Sequence, residues 1–108
     1  VIVSTDDAEI ADVARTFGAD VPFLRPAELA TDRAPEILAW QHALGEAEAR
    51  YGPFDVLLSV PTTAPLRESA DLRRVLEAFV PGETDFVITV TPARRSPYFN
   101  MVTVDAQG

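Results

Sequence analysis

Three short segments carry residue types able to bind and orient a polar ligand. Ser4-Thr5-Asp6-Asp7 offers two hydroxyls and two carboxylates directly after the apolar run Val1-Ile2-Val3. One reading places a carboxylate near a ligand, with the N–H groups of a following helix behind it. The other makes Asp6 or Asp7 a helix cap. Arg25 precedes Pro26, whose ring stiffens the backbone. Its planar fork can grip a phosphate, a carboxylate or a base carbonyl; a surface pair with Glu28 or Asp32 is the plainer alternative. Pro61-Thr62-Thr63-Ala64-Pro65-Leu66-Arg67 sets two hydroxyls between two prolines. A backbone so restricted can approach a base or ribose with little entropy loss. It can equally be a connector between two elements.

Other chemistries lack their residues. The chain has no Cys, hence no disulfide framework and no thiolate metal site. His42 is the only His and falls beside Trp40 and Leu44, where a lone imidazole is a packing residue. There is no G-x-S-x-G nucleophile turn, no G-x-G-x-x-G and no phosphate loop with its Lys.

The elements that must position these segments alternate. Residues 1–3 read as a short buried strand. Ile10, Val13, Ala14 and Phe17 then fall at helical spacing, ended by Gly18. Residues 21–24 read as a second strand. A loop over 27–35 leads into a helix over 34–51, whose apolar face is Ile37, Trp40, Leu44, Ala47 and Tyr51. Residues 54–60 form a third strand. Leu72, Val75, Leu76 and Phe79 mark a third helix, stopped by Pro81-Gly82. Residues 86–90 are a fourth strand, and 98–104 a further one after a turn. This alternation predicts an α/β fold: three layers, with a mainly parallel sheet and helices on both faces. Ligands of such sheets bind beyond the carboxyl ends of the strands. Residues 4–7, 61–67 and 91–100 all fall there.

The composition is ordinary for a globular chain of 108 residues, enough for one small domain. Net charge is −8 and all nine basic residues are Arg, without a basic stripe, which speaks against nucleic acid as partner. No apolar run reaches the length of a membrane span and no signal segment opens the chain, so a cytoplasmic protein is expected. The chain opens on a strand and closes after one arm of a hairpin, and the domain is expected to be incomplete.

Taken together, the segments resemble the acylneuraminate cytidylyltransferases (CMP-N-acetylneuraminic acid synthetases). Val1-Ile2-Val3-Ser4-Thr5-Asp6-Asp7 looks like their second motif. Residues 17–32, running through Val21-Pro22-Phe23-Leu24-Arg25-Pro26 to Asp32, are close to their next block. His42-Ala43-Leu44 fits the helix that follows. Residues 61–67 look like their Gln-Pro-Thr-Ser-Pro-Leu-Arg loop, and Ser96-Pro97-Tyr98-Phe99-Asn100-Met101-Val102 is similar to a later block. Order and rough spacing are kept across nearly the whole chain.

The resemblance implies a nucleotide-diphospho-sugar transferase-like fold. It also implies transfer of CMP from CTP to a sialic-type acid, with pyrophosphate released and Mg²⁺ assisting. Arg25, Asp6, Pro61, Thr62 and Thr63 would lie at the nucleotide, and Tyr98 and Asn100 toward the sugar acid. Metal ligands are expected outside this chain, as are the phosphate loop and the segment through which such enzymes form homodimers. Legionaminate, pseudaminate or Kdo is an alternative sugar acid, and a non-catalytic nucleotide-binding module an alternative class. Two departures stand out. Ser59-Val60-Pro61 occurs where the family loop opens with Gln, and Arg33-Ala34-Pro35-Glu36 where many members carry Ser or Thr. Residues 1–108 alone are expected to form no CMP-sugar; product formation by that segment in a CTP-dependent assay would refute this.

Overall fold

The computed structural model describes residues 1–92 and Ala106, and divides into two compact units, Val1–Val60 and Pro61–Gly108. In the first unit, residues 1–5 run alongside residues 20–25. Val3 N–H donates to Asp20 O at 2.9 Å, Asp20 N–H to Val1 O at 2.9 Å, and Arg25 N–H to Thr5 O at 2.8 Å. The pairing is parallel and is centred on an isolated bridge between Ile2 and Asp20. Parallel neighbours need a crossover between them. Here that crossover contains helix α1, Ala8–Thr16.

Local chemistry sets both ends of α1. Asp7 is extended, and its Oδ1 accepts from Glu9 N–H at 2.7 Å and Ile10 N–H at 3.0 Å. These are two of the donors a helix start leaves unpaired. Of the two candidate caps, Asp7 is the one used. At the other end Gly18 adopts φ +82° and its N–H reaches Arg15 O at 3.0 Å. Arg15 also donates to Val21 O at 3.0 Å, fastening the helix end to the returning chain. Ala11 and Val21 are buried beneath this arrangement.

A 3-10 helix, Ala27–Leu29, precedes α2, Glu36–Tyr51. Pro35 is its N-cap, one position before the first helical residue. The expected apolar face is only partly the packed one. Ala39 and Ala47 are buried and Ala43 is half-buried, whereas Ile37 and Tyr51 are exposed. The i, i+4 row of alanines forms a low ridge that lets another backbone come close, and the 3-10 helix packs on α2. Gly52 at φ +90° ends the helix. The Tyr51 hydroxyl donates to Asp20 Oδ2. That bond to the carboxylate raises the phenol's pKa.

In the second unit, α3 spans Ser69–Ala78. Asp71 Oδ2 accepts from Glu68 N–H at 2.9 Å, the reach-back half of a capping box. A turn follows, with Thr84 N–H donating to Val80 O at 2.9 Å and Gly82 at φ +84°.

Among the described residues the segments 21–24, 54–60 and 86–90 form no named strand. They have the expected apolar character; residues 21–24 lie between the bonds that Asp20 and Arg25 make to residues 1–5, and among the described residues no neighbouring segment hydrogen-bonds along 54–60 or 86–90. Phe54, Leu57, Phe86 and Ile88 are exposed. A strand cannot satisfy its own N–H and C=O groups. The expected strand over 98–104 lies outside the described residues. Among the described residues no helix is long and apolar enough to cross a membrane. Asp7→Ala should lower stability by about 1 kcal/mol, the typical value of an N-cap side chain. Urea unfolding followed by circular dichroism checks this.

Candidate nucleotide site

The parallel pairing determines where the first site segment lies. Thr5 is buried, and its Oγ1 accepts from Asp7 N–H at 3.1 Å. This bond turns the chain out of the paired segment and into the cap of α1. Asp6, between them, is left exposed and free of the capping role. Because Arg25 N–H bonds Thr5 O, the Arg25 side chain emerges beside Asp6. Arg25 Nη2 lies 3.8 Å from Asp6 Oδ1, with the two side chains 25% and 47% exposed. That is an ion pair but not a hydrogen bond, whose donor and acceptor sit nearer 2.9 Å. The sequence alternatives, Glu28 or Asp32 as the partner of Arg25, are not the pairing seen.

The guanidinium therefore keeps unused donors. Its Nε is buried and finds no hydrogen-bond partner among the described residues. Ser4 Oγ and His42 Nδ1 are buried and unpartnered in the same sense. Orphaned buried polar atoms are uncommon in folded chains, and all three occur in the first unit. His42 meets Phe23 edge-on, with ring centroids 5.2 Å apart and an interplanar angle of 81°. Phe23 is two residues before Arg25, and the 3-10 helix begins two residues after it. Helix α2 thus contacts the Arg25 loop on both sides.

The second segment is described within its own unit. Pro61, Thr62 and Thr63 are exposed, with Thr62 and Thr63 forming a turn. Arg67 closes this loop. Its Nε donates to Ala64 O at 2.7 Å and its Nη2 to Pro61 O at 2.8 Å. The loop borders an open groove of about 620 Å³ lined by Pro65, Leu66, Arg67, Glu68, Asp71 and Arg74.

The structure thus brings Asp6 and Arg25 together in one unit, and Pro61, Thr62 and Thr63 in the other. Tyr98 and Asn100 lie outside the described residues. Sequence reasoning missed the buried hydroxyl of Thr5, the His42–Phe23 contact and the closure by Arg67. Pro at both ends of a loop that closes on an Arg is a usable signal for the last. No group of three or more acidic, His or Cys side chains gathers as a metal site among the described residues. These residues therefore do not by themselves fit a Mg²⁺ centre.

Comparison with known proteins finds relatives along nearly the whole chain. The chain is 42% identical to Post-translational flagellin modification protein B of Campylobacter coli, over 96% of the chain and 45% of that protein. It is 41% identical to CMP-N,N'-diacetyllegionaminic acid synthase of Campylobacter jejuni, over the same shares of each. It is 31% identical to Pseudaminic acid cytidylyltransferase of Campylobacter jejuni, over 93% of the chain and 45% of the relative. The chain spans about 45% of the length of these relatives. No family model matches, and no solved structure matches.

Over the residues matched, the chain is similar to cytidylyltransferases and CMP-sugar synthases.

Asp6→Asn should change stability by no more than about 0.5 kcal/mol, because an exposed ion pair at this separation contributes little. Chemical denaturation of the two forms checks this. A larger loss would mean that Arg25 is committed to Asp6 rather than held ready for a ligand.

Proposed function

We propose that the whole protein transfers CMP from CTP to a nonulosonic acid, releasing pyrophosphate. The observation that carries this is the 41% identity to a CMP-sugar synthase across 96% of the chain. The greater likeness to the legionaminic acid synthase than to the pseudaminic acid enzyme favours a legionaminic-type acid as the acceptor.

The residues support a division of work. Arg25 offers its unpaired donors to the nucleotide, in a position steadied by Pro26 and by α2. Asp6 orients the guanidinium without saturating it. The loop over 61–67 presents Thr62 and Thr63 to the nucleoside. In the reaction, the sugar acid's anomeric hydroxyl attacks the α-phosphorus, a P–O bond forms there, and the bond to pyrophosphate breaks. Mg²⁺ would offset phosphate charge from ligands outside the described residues. We propose a three-layer α/β fold for the domain, supported by the parallel pairing of Ile2 with Asp20 across α1.

A second reading is a nucleotide-binding module without catalysis. It is favoured by Ser59-Val60-Pro61 standing where the family loop opens with Gln.

The test is pyrophosphate release by the full-length gene product with CTP, Mg²⁺ and, in turn, legionaminate, pseudaminate, N-acetylneuraminate and Kdo. Release that needs both substrates is expected, with legionaminate preferred. CTP binding without release under any sugar acid would support the module instead. Arg25→Ala should raise the KM for CTP by about tenfold or more, the scale of one lost charge-assisted contact. Steady-state kinetics across CTP concentrations reads this directly.

A further inference from the structure

We propose that Arg67 is a positioning residue that holds the 61–67 loop in the shape that receives the nucleoside half of the nucleotide. This rests on the reading of the preceding subsection. Pro61 and Pro65 restrict the backbone but lack N–H groups, so the loop has few donors with which to close on itself. Its internal backbone bonds are Ala64 N–H to Pro61 O at 3.4 Å and Arg67 N–H to Pro65 O at 3.0 Å. The first is at the long limit for a hydrogen bond. The guanidinium supplies what the backbone cannot. Nε and Nη2 reach Ala64 O and Pro61 O at 2.7 and 2.8 Å, spanning three residues with one rigid plane.

This closure draws the Pro61 and Ala64 carbonyls toward the guanidinium and leaves Thr62 and Thr63 exposed at the turn. A loop already in its binding shape spares the ligand the cost of ordering it. The surroundings argue against direct phosphate capture by Arg67. Its groove holds Glu68 and Asp71 alongside Arg74, and Arg74 Nη2 is paired with Asp71 at 2.9 Å. The charges there balance. Lys cannot replace Arg in this role, since a single ammonium does not offer two donors in fixed parallel geometry.

The experiment is titration of the full-length gene product, and of its Arg67→Ala and Arg67→Lys forms, with CTP and with cytidine. Calorimetry serves for CTP and ligand-observed nuclear magnetic resonance for cytidine. Circular dichroism establishes that each form is folded, and Arg67→Lys alone decides if Arg67→Ala is not. Both variants should bind CTP and cytidine more weakly by one common factor of about tenfold, the scale of a lost charge-assisted closure. A loss confined to CTP would overturn the inference, because Arg67 would then touch the phosphates. So would unchanged affinity, or full affinity in Arg67→Lys. A parent protein that binds neither ligand rejects the cytidylyltransferase reading itself, and the role of Arg67 with it. A parent that binds while the variants match it rejects only the role of Arg67.

Discussion

Three backbone hydrogen bonds between residues 1–5 and 20–25 are the constraint on which the first unit depends. Parallel segments cannot be joined by a tight turn, so the chain must leave, cross and return. The length of α1 and its two ends determine where it returns. The bond from Arg25 N–H to Thr5 O then places Arg25 beside Asp6. A slip of one residue in this pairing would reverse the facing of every side chain beyond it. Thr5 would lose its buried place and Arg25 its neighbour. The candidate site is thus a consequence of register before it is a matter of side-chain chemistry.

Burial contributes less to that register than hydrogen bonding does. The buried apolar side chains of the described residues are Ala11, Val21, Ala39 and Ala47, all small. Burying a large aliphatic or aromatic side chain is worth roughly 1.5–3 kcal/mol, and an alanine much less. Phe17, at 86% exposure, contributes almost none of that here. The order of the first unit therefore leans on directional contacts: the Asp7 cap, the Arg15 bond to Val21 O, and the Tyr51 bond to Asp20. Each is local in effect, and each fastens one end of a helix to the paired segments.

The helices were legible in the sequence because their signals are local. Asp6-Asp7 before α1, Gly18 after it, Pro35 before α2 and Gly52 after it act within a few residues of where they stand. Which of two adjacent aspartates caps was not legible, since both carry the same group and only the turn imposed by Thr5 selects Asp7. The packed face of α2 is legible only in part: Ala47 is buried as expected, whereas Ala39 is buried unexpectedly and Ile37 and Tyr51 are exposed. Hydrophobic spacing gives weight to large residues such as Ile37 and Tyr51, while close approach of a backbone selects the small ones, Ala39 and Ala47. The segments 54–60 and 86–90 are legible as apolar runs; a strand is defined by a partner, and among the described residues none pairs with them. Arg67 was passed over because its targets are carbonyl oxygens, and no residue type in the sequence marks those.

On the proposed function, the two arginines illustrate how an acidic chain presents a site for a polyanion. A net charge of −8 opposes the approach of a nucleotide triphosphate. At physiological ionic strength that opposition is screened beyond about 8 Å, so the cation within contact distance decides. Such a cation must be held in place yet keep open donors. Arg25 meets both conditions, with its backbone fixed by Thr5 and its side chain drawn toward Asp6 at 3.8 Å without a hydrogen bond. Arg67 differs, since two of its five N–H donors already serve the loop that carries it. On these two proposals the same side chain serves in one segment as an available ligand and in the other as a brace, and the difference lies in whether the nearest acceptor is a carboxylate at 3.8 Å or the chain's own carbonyls.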